Sequence, residues 1–561
     1  MSNYLTNHEA AEPAARAKRR RKLWLVSGVA GLTGVVSLAT VGVATGAGAV
    51  GSDGLKWATA QVSLSDDQDV DRSDEDRDRH DSDKDKDKDK DNKDHKDKKD
   101  GKDDGKKDHD DRTKEVPCQT DKLIQAIVYA NQNYGATLKL ADKCTYNLTR
   151  NDFLGNGLPV IQQDITLEGH DTEIVRDATA AYFRILNVGP GGRLTLKGLT
   201  IKGGQTLNTL TAPTPAAVWS AYSTSVESTA AATKAGKVAA NTPRTALKAT
   251  PKATPKAATP KGGVSTLVET PGFNDGAGIL VQPGGTATIE DTEIVRNQSG
   301  GNGGGVANFG TTEISKSSVT ENTAFFFGGG IFNAGVLKVY ETKIKNNEAG
   351  IGGAGISNGA ADIFTDDVDG GAVWVEKSEI SDNETLGFGG GLLDIGGNTT
   401  VKDSKVNNNT ALVAGGGIAA ADSTLNLYCV EVERNSTIGV GGGLAVAFDS
   451  RATVEDSAIK DNVAAFFGAG VFNEDSITVL RRTEVHGNRA VGPVSVAGGI
   501  FNDDGQVVLD ESKVAYNFST LPPGGIYTNN SGVTIDQRSA VTGNRPTNCL
   551  GSPVIPPNCF G

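Results

Sequence analysis

The sequence is poor in the residues that fill a compact globular core. Only 6% of its 561 residues are aromatic, and it contains a single methionine. Large domains normally bury many such side chains, so one deep core of ordinary packing is disfavoured. Glycine is abundant instead, with 71 residues. This combination favours a stacked repeat, in which each unit contributes only a few inward side chains.

Positive charge is also in short supply. The formal net charge is −13, and the excess of acid falls in the repeat region described below. An acidic surface disfavours nucleic acid as a partner, because phosphate binding requires clustered cations. We therefore expect no nucleic-acid binding.

Cysteine is rare, and its placement indicates disulfides rather than metal sites. Cys118 and Cys144 flank the first predicted helix, and Cys549 and Cys559 lie ten residues apart near the end of the sequence. Two close pairs at the two ends of the folded region predict disulfide staples formed in an oxidising compartment. Cys429 is left over in the strand-like run LNLYCVEV, where we expect a small buried apolar residue. No cysteine pair has the spacing of a zinc site with histidine.

The beginning of the chain has the features of an export signal. Residues 16–22 read RAKRRRK, no charged residue occurs over residues 23–52, and AGA at 47–49 resembles a cleavage site. We assign residues 1–49 to an export signal. An uncleaved membrane anchor is the alternative, and this segment would then be the contact with a membrane. The sequence therefore predicts a secreted, cell-surface or wall-associated protein.

Two low-complexity segments accompany the repeats. We assign residues 50–115 to a linker, in which residues 66–115 are dominated by aspartate and lysine, with almost no apolar side chain to offset the entropy of ordering the chain. Residues 206–270 are rich in alanine, threonine, proline and lysine, which is typical of an extended, solvated insertion. We expect both segments to be disordered.

A short amphipathic helix is predicted where the folded region begins, near Val116. Thr120 is a suitable N-cap for a helix that runs to Asn133, and Gly135 follows its end. A helix here would protect the unpaired backbone of the first coil of a β-stack. Its apolar positions are Leu123, Ile124, Ile127 and Val128.

Two signatures recur from residue 276 onward with a period of roughly 26 residues. The first is a glycine run followed by an apolar residue, found at Ile279, Val306, Ile331, Ile356, Leu392, Ile418, Leu444, Val471, Ile500 and Ile526. The second is Ile/Val-x-x-Asn, with its asparagine at Asn297, Asn322, Asn347, Asn383, Asn409, Asn435, Asn462, Asn488, Asn517 and Asn544. A fixed period of this length predicts a solenoid.

The runs between the signatures predict strands. They alternate apolar and polar residues and are rich in β-branched side chains, whereas the glycine runs would cost a helix about 1 kcal/mol per residue. We therefore predict an all-β fold, a right-handed parallel β-helix over residues 116–561 with an N-terminal capping helix. Each coil should contain three strands, and about twelve to thirteen coils should stack about 4.8 Å apart. The equivalent asparagines should form a hydrogen-bonded ladder inside the stack.

These motifs resemble known repeat proteins. GGGIFN (328–333), GAGVFN (468–473) and GGIFN (498–502) are similar to the repeats of chlamydial polymorphic membrane proteins. The whole pattern resembles the pectate-lyase-like right-handed β-helix superfamily, and the segments 118–148 and 544–559 are similar to exported actinobacterial β-helix proteins. The resemblance implies the fold. It selects no activity, because the superfamily includes lyases, hydrolases, epimerases and adhesins.

Clustered carboxylates give one candidate metal site. The run ADIFTDDVDGG, where one coil is expanded, contains Asp362, Asp366, Asp367 and Asp369. Such oxygen ligands suit calcium, the one cofactor that the sequence suggests. The spacing matches neither an EF-hand nor a calcium-binding nonapeptide repeat, and a solvated acidic loop is the alternative.

One group of residues is a candidate for catalysis. Asp503 and Asp504, with Arg481 and Arg482 one coil earlier, could imitate the paired carboxylates of a glycoside hydrolase. A turn role explains both aspartates equally, since they follow the motif FN. His486 in VHGN is better explained as a surface turn residue.

Several phenylalanines lie immediately before the glycine runs. We expect them to stack in one column, packed into the core, with docking of sugar rings as the alternative. They are Phe325, Phe326, Phe327, Phe388, Phe466 and Phe467.

Two functions are compatible with these features. The first is a non-enzymatic surface or wall-associated protein that uses the β-helix as a rigid binding or adhesion scaffold, with a polysaccharide or cell-wall polymer as its partner. The second is a polysaccharide lyase or hydrolase of the pectate-lyase-like superfamily. The sequence favours the first, and convergence of acidic and basic side chains on one lateral face would favour the second.

Overall fold

The computed structural model describes residues 113–206, 271–361 and 368–561. Four predictions fall wholly or almost wholly outside the described residues: the export signal (1–49), the linker (50–115), the insertion (206–270) and the ligands Asp362, Asp366 and Asp367. The first strand begins at Thr113, inside the range that the sequence analysis assigned to the linker.

The described chain is an all-β parallel solenoid of about 14 turns, so the predicted fold class is confirmed. Each strand pairs in parallel register with its equivalents in the coils before and after it. These pairings produce sheets of 25, 9 and 11 strands. The inter-coil hydrogen bonds satisfy the backbone groups of the strands, which is why the stack can be built from such short segments.

A regular coil contains four short strands, whereas the sequence predicted three. Strand a usually has five residues and strand b three, with a two-residue corner between them. Both belong to the 25-stranded sheet because the long strand Arg193–Lys202 pairs with the first of each. Strand c has two residues, and strand d has three or four.

The bounds of the regular strands follow. Strand a spans Thr286–Glu290, Thr311–Ser315, Val336–Tyr340, Ala372–Glu376, Asn398–Lys402, Thr424–Tyr428, Arg451–Glu455, Ile477–Arg481, Gln506–Asp510 and Val533–Ile535. Strand b spans Glu293–Val295, Ser318–Thr320, Lys343–Lys345, Glu379–Ser381, Lys405–Asn407, Glu431–Glu433, Ala458–Lys460, Glu484–His486, Lys513–Ala515 and Ala540–Thr542. Strand c spans Gln298–Ser299, Thr323–Ala324, Glu348–Ala349, Glu384–Thr385, Thr410–Ala411, Ser436–Thr437, Val463–Ala464, Arg489–Ala490 and Phe518–Ser519. Strand d spans Ile279–Val281, Val306–Asn308, Ile331–Asn333, Ile356–Asn358, Leu392–Ile395, Ile418–Ala421, Leu444–Ala447, Val471–Glu474, Ile500–Asp503 and Ile526–Thr528.

The coils before the insertion are less regular. Two long strands, of 13 and 10 residues, each continue through the positions of strands a and b, and their register shifts between Glu168 and Thr172. The strands of this region are Thr113–Val116, Ala136–Leu140, Thr145–Leu148, Asp164–Arg176, Leu186–Val188 and Arg193–Lys202.

The predicted helix is present at Thr120–Gln132, but two details of the prediction are wrong. The N-cap is Gln119, whose backbone is extended with a φ of −148°, whereas Thr120 is already helical and its hydroxyl donates to the carbonyl of Asn147 (2.9 Å). Val128 is exposed, whereas Leu123 and Ile127 are buried together with the interior of the coils. The helix therefore closes the N-terminal side of the described core with one apolar face.

The corner between strands a and b explains a wrong prediction about Cys429, whose side chain is exposed. Residue 429 occupies that corner in the left-handed conformation, with φ of 55°. The corner interrupts the run LNLYCVEV, so the alternation restarts and Val430 and Val432 face inward. Desolvation, followed by the charges of Asp403 and Asp456 at the same corner of adjacent coils, raises the pKa of the thiol.

The glycine runs and the asparagines recur in phase because they are in contact. In the run at 328–330, Gly328 has a φ of 69°, which favours glycine. A Cβ on Gly330 would lie 2.7 Å from the carbonyl oxygen of Gly355 and 3.1 Å from the amide of Asn347. The glycine thus lets the backbone approach the ladder of the next coil, which links the two sequence signatures physically.

Both predicted disulfides are present, Cys118–Cys144 and Cys549–Cys559. The first ties the segment before the helix to the coil after it, and the second lies in a tail that folds against the last coil, where the backbone N–H of Ile526 donates to the carbonyl of Asn548 (2.8 Å). In the part of the chain that the structure describes, no helix has the length and hydropathy needed to span a membrane.

Candidate functional site

The asparagine ladder runs through all ten predicted positions. Asn409 is typical: its Oδ1 accepts the backbone N–H of Asn383 (3.0 Å) and Nδ2 of Asn383 (2.9 Å). Its Nδ2 donates to the carbonyl of Ile380 (2.9 Å) and to Oδ1 of Asn435 (3.0 Å). Asn548 extends the series by accepting from Nδ2 of Asn544 (3.0 Å). Because the amides are buried and fully hydrogen-bonded, the ladder holds the coils in register and leaves no side chain for a ligand.

A second, shorter ladder was not predicted. It lies at the end of strand d, where Asn308 donates to Asn333 (2.7 Å), Asn333 to Asn358 (2.8 Å) and Asn358 to Asp394 (3.1 Å). The motif FN after the glycine run was the available signal, but two coils replace the asparagine with alanine or valine at this position. The interruption hides the periodicity in the sequence.

The candidate acidic groups are not assembled into a site by the described residues. Within those residues, no group of three or more histidine, cysteine, aspartate or glutamate side chains is placed to hold a metal ion. Only Asp369 of the predicted calcium ligands is described, so calcium binding there stays a prediction.

The candidate catalytic residues have other partners. Arg482 pairs with Asp456 (2.7 Å), and Arg481 lies 3.8 Å from Asp510. Asp503 and Asp504 both accept from the amide of Asn529 at the corner between strands d and a, whereas these arginines lie at the other end of strand a. Burial, followed by the charge of Asp504, raises the pKa of Asp503. His486 is the last residue of a strand b and stacks edge-on against Tyr516, so it is not a turn residue.

The phenylalanines form adjacent columns, and the expectation of one column is wrong. Phe327 and Phe388 are buried at equivalent positions, linked through Gly352. They pack with Phe332 in a second apolar cluster, on the outer face of strand d. Phe467 is half-buried and continues the same column through Ala414 and Val440. Half-buried residues precede the column by one or two positions: Phe325, Phe326 and Phe466. Packing accounts for the two buried members.

The described surface carries one exposed tryptophan, Trp374, on the strand Ala372–Glu376. Val373 and Val375 are buried on either side of it, so the alternation of the strand directs the indole outward, and 47% of the residue is exposed. An indole on a flat sheet offers a wide apolar face for stacking and an N–H for hydrogen bonding.

Adjacent strands place polar groups beside this indole. Lys338 and Thr400 are the register partners of Trp374 in the coils before and after it. Lys377 donates to the hydroxyl of Tyr340 (2.8 Å), and its Nζ lies 5.0 Å from the centroid of the Tyr340 ring. The same hydrogen bond raises the pKa of Lys377.

Beyond Trp374, the outward positions of strand a form an uncharged polar strip. Its side chains make no hydrogen bond to another group in the described parts of the chain, so their donors and acceptors face solvent. Lys402, beside the strip, is paired, since it lies 3.8 Å from Glu376 and 3.6 Å from Asp403. The strip consists of Asn398, Thr400, Thr424, Asn426 and Thr453.

Trp374 and the polar strip were missed in the sequence analysis. The signal was available, because the run AVWVE places a large aromatic residue between two β-branched ones and so on the outer face of a strand. The face offers stacking and hydrogen bonding, which are means of binding. Its nearest carboxylate along the strand, Glu376, is held in the ion pair with Lys402.

Comparison with known proteins adds little to this description. No protein-family description and no curated protein matches the chain. Among solved structures, it is similar to the A-module of the mannuronan C-5 epimerase AlgE6 from Azotobacter vinelandii. The identity is 14%, the match covers 78% of this chain and 94% of the other, and the TM-score is 0.33. A similarity of this extent carries no information about activity.

Proposed function

We propose that this protein is exported and acts at the cell surface or wall as a rigid, non-catalytic β-helix scaffold that binds a polysaccharide. The observation that carries the proposal is the exposed indole of Trp374 on a flat sheet, beside side chains whose hydrogen-bonding groups face solvent. Aromatic faces stack on the C–H surfaces of sugar rings, and hydroxyl and amide side chains match sugar hydroxyls as donors and acceptors.

The ladder supports the scaffold part of the proposal. Binding a polymer over several coils requires that the side chains of those coils keep fixed positions, since ordering them on binding would lower the affinity. The buried asparagines supply such preorganisation directly beneath the coils that carry the strip. The two disulfides support an extracellular location, where such bonds persist.

The test is a binding assay with the full chain and a panel of soluble and insoluble polysaccharides. We expect retention by at least one polysaccharide, and we expect Trp374→Ala to weaken it about tenfold, the effect of losing roughly 1.4 kcal/mol of stacking. Phe153→Ala is the matched control, because Phe153 is 93% exposed but lies away from this face, between the strands ending at Leu148 and beginning at Asp164.

Circular dichroism should show that both variants keep the fold. If no polysaccharide is retained, or if the two variants weaken retention equally, the proposal is wrong. Release of shortened chains from any polysaccharide of the panel would likewise contradict the non-catalytic role.

A further inference from the structure

We infer that the ligand is a polysaccharide of uncharged sugars, and that its chain lies along the solenoid axis, across the strands, from Trp374 to Thr453. This inference rests on the proposed function and specifies its ligand. Three features support it: the register of strand a, the charges around the strip and the partners of those charges.

The register sets the direction of the chain. Trp374, Thr400, Asn426 and Thr453 are successive partners on four adjacent strands, so they form one line along the axis. The strand spacing of about 4.8 Å is close to the length of one pyranose ring, so each coil can meet one sugar. A chain laid along a strand would find no such series, because the strand of Trp374 offers only Ala372 and Glu376 as its other outward residues.

The side chains of the strip determine the chemistry of the ligand. Hydroxyl and amide groups both donate and accept hydrogen bonds, which matches the hydroxyls of a neutral sugar. A second line of the strip, Asn398 and Thr424, runs beside the first one. Trp374 stands at one end of these lines, where it can stack on a single ring.

The distribution of charge argues against a uronic acid on every ring. Between Trp374 and Asn426 the two lines contain no cation, and Lys402, two residues along the strand from Thr400, is paired with Glu376 and Asp403. The nearest cations without an ion pair in the described residues lie next to these lines. Lys338 precedes Trp374 in the first line, and Arg451 follows Thr424 in the second. Lys377, at the corner after Glu376, is hydrogen-bonded to Tyr340. An anionic chain would therefore place its inner carboxylates against neutral side chains.

The test uses calorimetric titration of the full chain with neutral oligosaccharides from glucan, mannan and xylan, and with the glucan and mannan oligomers oxidised to uronic acids. We expect a neutral series to bind with little dependence on salt. Affinity should rise with length up to the tetrasaccharide, one sugar for each of the four aligned residues, and then level off.

The variants separate the strip from its flanking cation. Thr400→Val and Asn426→Leu should each weaken binding of the neutral tetrasaccharide roughly three- to tenfold, through the loss of one or two hydrogen bonds. Lys338→Ala should weaken it by no more than about twofold, because Lys338 precedes the first of the four aligned residues. Preference for the oxidised oligomers, with salt-sensitive binding that Lys338→Ala abolishes, would overturn the inference of a neutral ligand and leave the proposed function standing. Failure of every oligosaccharide and polysaccharide to bind would overturn both.

Discussion

The regular coils after the insertion and the irregular coils before it have the same fold but are held together differently. From Asn297 onward each b–c corner carries a buried asparagine bonded to the next. Before the insertion the equivalent position is Gly204, whose N–H donates to Asn297 (2.9 Å) and which has no side chain to continue the ladder. A Cβ there would lie 2.0 Å from the carbonyl oxygen of Ala277.

One buried arginine takes over this role in the earlier coils. Arg176 donates to the carbonyls of Gly203 (2.8 Å) and Ala180 (3.0 Å) and to the side chain of Gln205 (2.7 Å). Burying this charged group is unfavourable, and desolvation accordingly lowers the pKa of Arg176. A single charged group thus replaces a periodic neutral one.

This difference shows what makes a solenoid extendable. A neutral amide that both donates and accepts can be repeated in every coil without building up charge, whereas every buried guanidinium adds one more desolvated charge. We therefore expect the ladder region to be the more stable part, and the coils before the insertion to depend on the arginine, the helix and a disulfide.

Removing one amide from the middle of the ladder should cause the largest loss of stability. Asn409→Leu eliminates four hydrogen bonds and leaves the buried backbone and side-chain donors of Asn383 without acceptors. We expect a loss of about 3–4 kcal/mol in the free energy of unfolding, measured by urea denaturation. Asn408→Gly is the matched control, because Asn408 is an exposed neighbour with a φ of 55°, which glycine tolerates. Equal losses in the two variants would mean that the ladder has no special role.

Much of the fold could be predicted, and the failures have physical reasons. The glycine and asparagine signatures recur in phase because Gly330 and its equivalents contact the amides, so the periodicity is strong. The predictions of three strands per coil and of a buried Cys429 were wrong because a left-handed corner between strands a and b restarts the alternation of inward and outward residues. A corner occupied by aspartate, lysine or cysteine has no sequence signal. Trp374 is unique on the described surface, and periodicity cannot find a residue that occurs once.

A second prediction concerns the disulfide of the earlier coils. Cys118→Ala with Cys144→Ala opens a loop whose ends are separated by 26 residues, for which the chain-entropy estimate is a loss of about 3 kcal/mol. We expect the loss to be local, with faster hydrogen exchange in the helix and unchanged exchange in the coils beyond Asn297. Loss of protection along the whole ladder would show that the two regions unfold as one unit.

The third prediction addresses the arginine that substitutes for the ladder. Arg176→Met removes its hydrogen bonds to buried carbonyls and should cost about 2 kcal/mol, less than a ladder amide because the groups left behind are acceptors only. Arg193→Met is the control, since Arg193 is largely exposed and lies 3.9 Å from its partner Asp164. If Arg176→Met left the free energy of unfolding unchanged in urea denaturation, Arg176 would not be the group that takes the place of the ladder in the earlier coils.

The smallest expected effect is a pH dependence at the junction of the two regions. Burial raises the pKa of Asp275, although the backbone N–H groups of Asn302 (2.7 Å) and Gly272 (2.7 Å) donate to it. The folded state therefore binds the proton of the Asp275 carboxyl group more tightly than the unfolded chain does. Its stabilising effect is complete below the unfolded pKa of about 4 and is lost as the pH rises through the raised folded pKa. Asp275→Asn should flatten that slope in urea denaturation across this window, and an unchanged slope would exclude Asp275 as its source.

Whether the buried asparagines hold the coils together can be tested by residue-resolved hydrogen exchange of the backbone N–H groups that donate to ladder side chains. In Asn322, Asn383, Asn435 and Asn488 this N–H is bonded to the Oδ1 of the next asparagine. We predict that these amides exchange at the slowest rates of the chain, and more slowly than those of strands Thr145–Leu148 and Leu186–Val188. Exchange of the ladder amides as fast as that of exposed corner residues would contradict the claim that the asparagines hold the scaffold together.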